Sequence, residues 1–351
     1  MKRIIALFLL VMSLGVVGAQ DDEITGDVIT ADNVANLTEI AHIPLSFVDG
    51  TPGTRSVAFS PDGTLVALGT RNGTVKLVDL EAGEEIATLE GLNRDVNDVA
   101  FHPGGDVLFA ASSGGLMIHD LVAEEDATQI LDFTPISIAP NPAGDQVAIL
   151  LEFTANLFVA PFDLETRTLG VDDLTLTAPM DEGAVKLAYS ADGSRIATVG
   201  LNMSSANHII NVFDAETGEI ILTIDPEDSP GGGVALNEDG SIVYATAGLG
   251  NNPYVGAWDV ETGEEIFFYP DVNGFGATLA NGILFVSDGA ANLILYNAED
   301  GTEIFTYDIA YTSGDSMFVQ VYDVAVSPDG TRIALAQAQE NELVILGVSD
   351  E

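Results

Sequence analysis

Apolar and polar residues alternate along most of the chain in short runs, and turns rich in Gly separate these runs. Strict alternation predicts half-buried β-strands, because successive side chains of a strand point to opposite faces. The first clear unit is 56–68, where two alternating runs flank the turn Ser60-Pro61-Asp62-Gly63. Pro fixes φ, Asp hydrogen-bonds the local backbone and Gly accepts a left-handed conformation, so this turn favours a β-hairpin.

The same hairpin unit recurs along the chain. The turn glycines of its seven copies are Gly63, Gly105, Gly144, Gly193, Gly240, Gly282 and Gly330. They are 42, 39, 49, 47, 42 and 48 residues apart, which is the length of one four-stranded propeller blade. The third copy is weak, and the sixth is shortened at 279–285. The spacing predicts an all-β fold, a seven-bladed β-propeller.

A second marker ends the third strand of six copies, where an apolar or ring-bearing residue precedes Asp or Asn. The six pairs are Val78-Asp79, His119-Asp120, Phe162-Asp163, Phe213-Asp214, Trp258-Asp259 and Tyr296-Asn297. Acidic Gly turns follow several of them, and a fourth apolar strand follows each such turn. The two markers together predict four strands in each blade.

These motifs resemble those of WD-repeat propellers. The resemblance rests on Phe59-Ser60-Pro61-Asp62-Gly63, on Val326-Ser327-Pro328-Asp329-Gly330 and on Trp258-Asp259, and it extends over 37–348. It implies a propeller that acts as an interaction module. The chain departs from the family where Gly91-Leu92 replaces the usual Gly-His pair and because one repeat alone carries Trp-Asp.

The seventh copy ends after three strands, which are followed by no fourth. The segment 36–45 reads like the fourth strands of other copies, such as 83–89. We therefore expect an N-terminal strand to close the last blade, which removes an open sheet edge that would otherwise promote aggregation.

The first nineteen residues carry the pattern of a secretory signal peptide. Lys2 and Arg3 precede the apolar run 4–17, and Val17-Gly18-Ala19 supplies the small residues read by a signal peptidase. The apolar run is short for a bilayer span. We expect cleavage after Ala19, a flexible acidic leader at 20–35 and the propeller at 36–351. The expected location is secreted, periplasmic or on the extracellular surface of a bacterium, without insertion into the membrane.

Charge limits the classes of partner. The chain has 55 acidic residues against 10 basic ones, a net charge of −45. Such a surface repels nucleic acid and anionic lipid, and it attracts cations and basic proteins. Solubility or a salty habitat, in which acidic surfaces stay hydrated, explains the acidity more simply than a specific cation-binding function does. The absence of Cys means that burial and sheet hydrogen bonds supply the stability.

Length variation points to one face of the predicted ring. The long irregular segments all connect fourth to first or second to third strands, at 46–55, 178–183, 201–208, 225–233, 249–254, 271–275 and 310–319. Loops on a rigid scaffold commonly carry binding. Acidic residues beside exposed aromatics can hold a cationic peptide or a sugar. The candidate ligand-face residues are Asp181, Asp228, Tyr254, Asp271, Phe275, Tyr311 and Asp315.

The sequence gives little support for catalysis. It has no Cys nucleophile and no Gly-x-Ser-x-Gly elbow, and its four His residues are expected in different blades, without metal-ligand spacing. We predict a monomeric, non-enzymatic protein without cofactor or specific metal site, which binds a protein, peptide or glycan and at most loosely held divalent cations.

Three alternatives stay open. A metal-assisted hydrolase or lactonase would need His, Asn and Glu on the first strands, which are dominated by Val, Ala and Leu. The turn Asp214-Ala215-Glu216-Thr217-Gly218 resembles those of quinoprotein propellers, but the chain has one Trp where such repeats each carry a docking Trp. A structural surface component is the third alternative.

Overall fold

The computed structural model describes residues 26–47, 53–123, 128–132, 134–151, 156–173, 176–179, 183–201, 208–226, 232–248, 252–289, 291–309, 320–337 and 341–348. Within these ranges the chain forms 29 β-strands and one short 3₁₀ helix, Val34–Asn36. The strands make seven antiparallel sheets. This architecture confirms the prediction of an all-β, seven-bladed β-propeller.

The first described strand is β1 (Leu37–Pro44). Blade 1 consists of β2 (Thr54–Phe59), β3 (Leu65–Thr70), β4 (Val75–Asp79) and β5 (Glu84–Leu89). Blade 2 consists of β6 (Val96–Phe101), β7 (Val107–Ser112), β8 (Gly115–Asp120) and β9 (Thr128–Leu131). Blade 3 consists of β10 (Pro135–Pro140), β11 (Gln146–Leu151), β12 (Asn156–Asp163) and a split fourth strand, β13 (Thr168–Leu169) and β14 (Leu176–Pro179).

Blade 4 consists of β15 (Gly183–Tyr189), β16 (Arg195–Leu201), β17 (His208–Asp214) and β18 (Ile220–Ile224). Blade 5 consists of β19 (Val234–Leu236), β20 (Ile242–Ala247), β21 (Tyr254–Asp259) and β22 (Glu265–Pro270). Blade 6 consists of β23 (Gly274–Ala280), β24 (Ile283–Asp288), β25 (Asn292–Asn297) and β26 (Glu303–Asp308). Blade 7 consists of β27 (Val321–Val326), β28 (Arg332–Gln337) and β29 (Glu342–Val348), with β1 as its fourth strand.

The N-terminal strand closes the ring as predicted. Strand β1 pairs antiparallel with β29, in a register that runs from Leu37 opposite Val348 to Pro44 opposite Glu342. The seventh blade is therefore built from both ends of the propeller, and its outer edge has the same four-stranded width as the other blades.

The leader predicted at 20–35 is only partly a leader. Ile29 is fully buried, Val34 is 1% exposed, and the N–H of Ile29 donates a hydrogen bond of 2.8 Å to the carbonyl of Gly330. Both side chains belong to the core between blades 6 and 7. The prediction of flexibility is wrong for 26–35. The segment is polar overall, but two of its apolar side chains, Ile29 and Val34, pack into the core. Residues 20–25 and the predicted signal peptide lie outside the described residues.

The core is divided into seven apolar clusters, and each cluster lies between two neighbouring blades. Ile43, Leu343 and Ile345 of blade 7 pack in this way against Val57 and Phe59 of blade 1. The ring therefore has no single centre of burial, and removal of one interface opens the whole circle.

The repeated turns have the chemistry expected from their sequence. The hydroxyl of Ser60 donates to Asp62 Oδ1 over 2.6 Å, and the N–H of Thr64 donates to the same oxygen over 3.0 Å. These bonds lower the pKa of Asp62. Gly63 has a φ of +72°, which an L side chain adopts at a cost.

The connections separate onto two faces of the ring. First–second and third–fourth hairpins lie on one, which we call the turn face; fourth-to-first and second-to-third connections lie on the other, the loop face. All seven long segments singled out in the sequence join strands of the second kind. The prediction that length variation is confined to one face is wrong, because the third-to-fourth connection of blade 2, on the turn face, spans 121–127.

Candidate functional site at the mouth of the central channel

The innermost strands share an irregularity at their loop-face ends. In six blades the register of the first strand shifts by one residue, at Thr54/Ser56, Val96/Asp98, Pro135/Ser137, Ala184/Lys186, Gly274/Gly276 and Val321/Asp323. Such a β-bulge leaves one residue unpaired and re-aims its side chain. In blade 5, Gly232 and Gly233 precede the first strand at the equivalent places.

The bulged residues form a ring around the channel. Six blades contribute one bulged residue each, namely Arg55, Asn97, Ile136, Val185, Phe275 and Tyr322, and blade 5 contributes Gly232 from the segment before its first strand. They line a cavity of about 380 Å³, which we call the channel mouth. The repeated bulge therefore brings six side chains, cationic, amide, aliphatic and aromatic, to one place.

A second ring of residues forms the floor beneath the mouth. Lys186 projects from blade 4, and its Nζ lies 2.9 Å from Asp98 Oδ1 of blade 2 and 3.5 Å from Asp323 Oδ2 of blade 7. It thus crosses the channel. Gly276 leaves the necessary room, since a Cβ there would lie 2.9 Å from the Cα of Asp323.

The two floor carboxylates also join neighbouring blades. Asp98 Oδ2 accepts hydrogen bonds from the hydroxyl of Ser137 over 2.6 Å and from the N–H of Ile138 over 3.0 Å, both in blade 3. Asp323 Oδ2 accepts from the N–H of Val57 in blade 1 over 3.4 Å. The three floor ions Asp98, Lys186 and Asp323 therefore all have partners, which a buried ion group needs in order to be tolerated.

Charge at the floor is balanced by proximity. Burial raises the pKa of Asp323; the Lys186 ammonium opposes this rise, and the Asp98 carboxylate adds to it. Burial alone would lower the pKa of Lys186, but the two carboxylates raise it above its ordinary value. Lys186 is consequently charged throughout the physiological pH range, and it holds two carboxylates that would otherwise repel each other.

A second cavity of about 380 Å³ adjoins the mouth and shares Asn97 with it. We call it the arginine pocket, and its lining residues are Arg71, Asn72, Asn93, Arg94, Asp95, Asn97 and Ser113. Apart from Lys2 and Arg3 the chain has eight basic residues, and four of them lie at these two cavities: Arg55, Arg71, Arg94 and Lys186.

An aromatic pair organises the boundary between the cavities. The Tyr322 ring has the guanidinium groups of Arg55 and Arg71 at 5.4 and 5.9 Å from its centroid. Phe275 meets the same ring edge-on at 5.9 Å. Cation–π contacts of this kind hold a guanidinium in place without neutralising it. Arg55 Nε also lies 2.9 Å from Asp95 Oδ2.

The structure sorts the residues predicted from sequence. Phe275 lines the channel mouth, and Asp271 is exposed on the loop face between β22 and β23. Tyr254 was expected to be exposed, but it is 1% exposed and stacks on Phe268 at 5.2 Å, because β21 begins at this residue. That expectation is wrong. The other four candidates lie outside the described residues: Asp181, Asp228, Tyr311 and Asp315.

Sequence reasoning missed the main polar groups of the site. We expected the first strands to present mainly Val, Ala and Leu to the channel, whereas they present Arg55, Asn97, Asp98, Lys186 and Asp323. An alignment of the seven first strands would have found these groups. Their second and third positions are chemically mixed, while the positions that follow are apolar.

His102 has structural surroundings. His102 and His119 share blade 2, contrary to the expectation of one His in each of four blades. His102 Nε2 donates to the carbonyl of Gly144 over 2.8 Å, and its Nδ1 accepts from the N–H of Gly104 over 2.9 Å. Across the described ranges, no three His, Asp or Glu side chains are grouped so as to hold a metal ion. No helix in those ranges has the length and apolarity to span a membrane.

Comparisons with known families agree with this architecture. A family model described as the outer membrane protein assembly factor BamB matches residues 206–346. A model described as WD domain, G-beta repeat matches residues 44–79 and 83–120. The second WD match begins at the fourth strand of blade 1 and ends with the third strand of blade 2. It is offset from the blade in the same sense as the ring closure.

Individual relatives are similar over short stretches. Pre-mRNA-processing factor 19 of Dictyostelium discoideum is 41% identical over 66 residues, 19% of this chain and 13% of that protein. Telomerase protein component 1 of Rattus norvegicus is 36% identical over 102 residues, 28% of this chain and 4% of that protein. Small ribosomal subunit protein RACK1 of Schizosaccharomyces pombe is 34% identical over 82 residues, 23% of this chain and 26% of that protein. The matches thus span about a quarter or less of each relative.

Proposed function

We propose that this chain, a WD-repeat-like seven-bladed β-propeller, is a non-enzymatic interaction module that binds a protein or peptide at the channel mouth of its loop face. The observation that carries the proposal is the ring of bulged residues. Six blades deliver one side chain each, apolar, aromatic, amide or cationic, to one concave site on a rigid scaffold. This mixture of apolar lining and a few oriented polar groups is what ligand sites have in common.

The relatives support an interaction role. Two of them are named as a small ribosomal subunit protein and a pre-mRNA-processing factor. The WD-repeat model matches this chain at 44–79 and 83–120. We extend to this chain only the general role, which is to hold another macromolecule.

The chemistry of the mouth supports binding rather than catalysis. Its carboxylates Asp98 and Asp323 are already engaged by Lys186 and by backbone N–H groups of the next blade. A general base needs a lone pair that can reach substrate, and a nucleophile needs an adjacent base. The described part of the channel pairs its charged floor groups with each other instead.

We also propose that the protein works outside the cytoplasm, since its N-terminal sequence carries the signal pattern described above. Expression of the full chain in a bacterium, followed by N-terminal sequencing of the protein from each cell fraction, tests this. The expected product lies in the extracytoplasmic fraction and begins at Gln20. A product that keeps Lys2 and Arg3 in the cytoplasm contradicts it.

Cross-linking from a single site tests the binding face. The chain has no Cys, so one introduced thiol is a unique attachment point. Asn93→Cys places a photo-reactive label on the loop face of blade 1, and Ala82→Cys places it at an exposed position on the turn face of the same blade. After irradiation in an extract of the source cells, we expect a discrete adduct from Asn93→Cys alone.

The captured partner must then bind the purified wild-type protein, and an excess of unlabelled protein must compete for it. Adducts that form from Ala82→Cys alone, or equally from both sites, contradict the assignment of the loop face. An adduct with an oligosaccharide instead of a protein would replace the peptide with a glycan as ligand.

A further inference from the structure

We infer that the partner presents a carboxylate to the arginine pocket, so that this very acidic propeller recognises an acidic peptide segment. The inference rests on the proposed function and names the chemistry of the partner. It reverses what the overall charge of −45 suggests, which is a cationic ligand.

Positive charge is concentrated at this site. Among the described residues, four cations lie at the channel mouth and the arginine pocket, against three carboxylates, Asp95, Asp98 and Asp323. These residues together carry a slight excess of positive charge, in a chain that has more than five acidic residues for each basic one. Focusing of field lines in a concave site makes such an island the place where an anionic group binds.

Two of the four cations at the site form ion pairs with carboxylates of the chain. Lys186 is held by Asp98 and Asp323, and Arg55 is held by Asp95. Arg71 and Arg94 form no ion pair with any residue that the structure describes. In so acidic a chain, two guanidinium groups without a carboxylate partner among the described residues are a specific feature.

The loops that carry these arginines are held in place by close contacts with one another. Gly73 packs so closely on the next connection that a Cβ there would lie 2.3 Å from the carbonyl oxygen of Leu92. A Cβ on Gly114 would lie 2.9 Å from the backbone nitrogen of Asn93. The hydroxyl of Ser112 donates to the carbonyl of Arg94 over 3.1 Å. Three loops are thus pinned to one another, and binding costs little ordering.

Neutral hydrogen-bonding groups line the arginine pocket beside the two guanidinium groups. Amides and a hydroxyl from Asn72, Asn93, Asn97 and Ser113 surround the two guanidinium groups. The Asn72 Oδ1 accepts from the hydroxyl of Thr74 over 2.9 Å, which leaves its N–H groups as donors for a ligand. Guanidinium and amide donors match the lone pairs of a carboxylate, which an Arg can contact through two parallel bonds.

The channel mouth next to the arginine pocket offers apolar surface for a second side chain of the ligand. The adjoining channel mouth offers Ile136, Val185, Phe275 and the ring of Tyr322. An acidic residue next to an apolar one can therefore fill both cavities at once. Long polyanions are disfavoured, because the acidic surface that surrounds the island repels every charge that extends beyond it.

Fluorescence anisotropy with labelled peptides tests the inference. The probes are a peptide with two Leu-Glu pairs and an amidated C terminus, its Leu-Gln counterpart with an amidated C terminus, and the Leu-Gln peptide with a free C-terminal carboxylate. Binding of the first alone identifies a side-chain carboxylate, and binding of the third alone identifies a terminal one. Either result supports the inference. Equal binding of the amidated Leu-Gln peptide overturns it.

Variants locate the bound carboxylate. Arg71→Gln and Arg94→Gln should each weaken binding about tenfold or more, since each removes charge-assisted hydrogen bonds. Arg195→Gln, which removes the same charge on the turn face, should leave binding unchanged. Thermal melting of each variant confirms that it is folded. Equal losses in all three variants, or tighter binding of a single-stranded oligonucleotide than of any peptide, contradict the inference.

The two proposals fail separately. If cross-linking at Asn93→Cys captures a partner whose affinity is unchanged by Arg71→Gln and Arg94→Gln, the loop face binds through other groups and the carboxylate inference is wrong. If neither position captures a competable partner and no peptide binds, the proposed interaction function itself is wrong.

Discussion

Truncation of Ile43 to Ala should destabilise the entire ring, because this side chain lies in the interface that closes it. Ile43 is on β1, is 2% exposed and packs among Leu343, Ile345 and Phe59 in the cluster between blades 7 and 1. The matched control is Ile86→Ala. Ile86 lies on the fourth strand of blade 1 and is 50% exposed. Its substitution removes the same atoms at a position outside the interface that closes the ring.

The expected magnitude follows from burial. Ile→Ala removes three carbon groups, at about 0.8 kcal/mol each for transfer from water, and the residual cavity adds to this. We expect Ile43→Ala to lower the free energy of unfolding by about 3 kcal/mol, and Ile86→Ala to lower it by about 1 kcal/mol or less.

Urea unfolding followed by the fluorescence of Trp258 measures both effects. Trp258 is the one Trp of the chain, is 4% exposed and lies in blade 5, far along the ring from the substitution. A shifted midpoint with an unchanged slope reports a loss of stability in the folded ring. If Ile43→Ala shifts the midpoint no more than Ile86→Ala does, closure by the N-terminal strand contributes little to stability and our reasoning is refuted.

Two further predictions concern charged groups. Lys186→Met should destabilise the protein by about 3 kcal/mol near pH 7, since it leaves the carboxylates of Asp98 and Asp323 without a positive partner in the channel floor. Because the pKa of Asp323 is raised, this group takes up a proton as the pH falls, and urea midpoints should show a smaller loss of stability toward about pH 5. A loss that is constant with pH contradicts the ion-pair account. Partial burial lowers the pKa of His42, but Glu342 and Glu39, at 3.2 and 3.0 Å from its ring nitrogens, raise it, and the net pKa lies above 6.5. The protonated ring therefore stabilises the β1–β29 pair below about pH 6.5, and this contribution is lost as the pH rises through the folded-state pKa. The stability difference between wild type and His42→Gln should therefore be larger at about pH 5.5 than at about pH 8.5, and the reverse order contradicts the contact.

The fold was readable from the sequence because its determinants are local and repeated. Each Ser-x-Asp-Gly turn carries its own hydrogen bonds, as Ser60 and Asp62 show, and each blade needs only its neighbours. Ring closure was readable for the same reason: 36–45 matches the pattern of the other fourth strands, and only one blade lacked a partner.

The site was less readable because it is assembled across the ring. Six blades contribute side chains at a β-bulge, which breaks the alternating pattern that marks a strand, and blade 5 contributes only Gly232 and Gly233. Lys186 reaches partners 88 and 137 positions away in the chain, a relation that no local pattern contains. Tyr254 shows the opposite error, since one residue at the border between loop and strand changes from exposed to buried.

Hydrogen–deuterium exchange with a saturating Leu-Glu peptide tests the central claim most directly, because it reports where a ligand sits without any substitution. We predict slower exchange in the loop-face segments 53–57, 70–74 and 92–97, and unchanged exchange in the turn-face hairpins 60–64 and 102–106. Protection confined to those hairpins, or spread evenly over both faces, would contradict the placement of the binding site at the mouth of the channel.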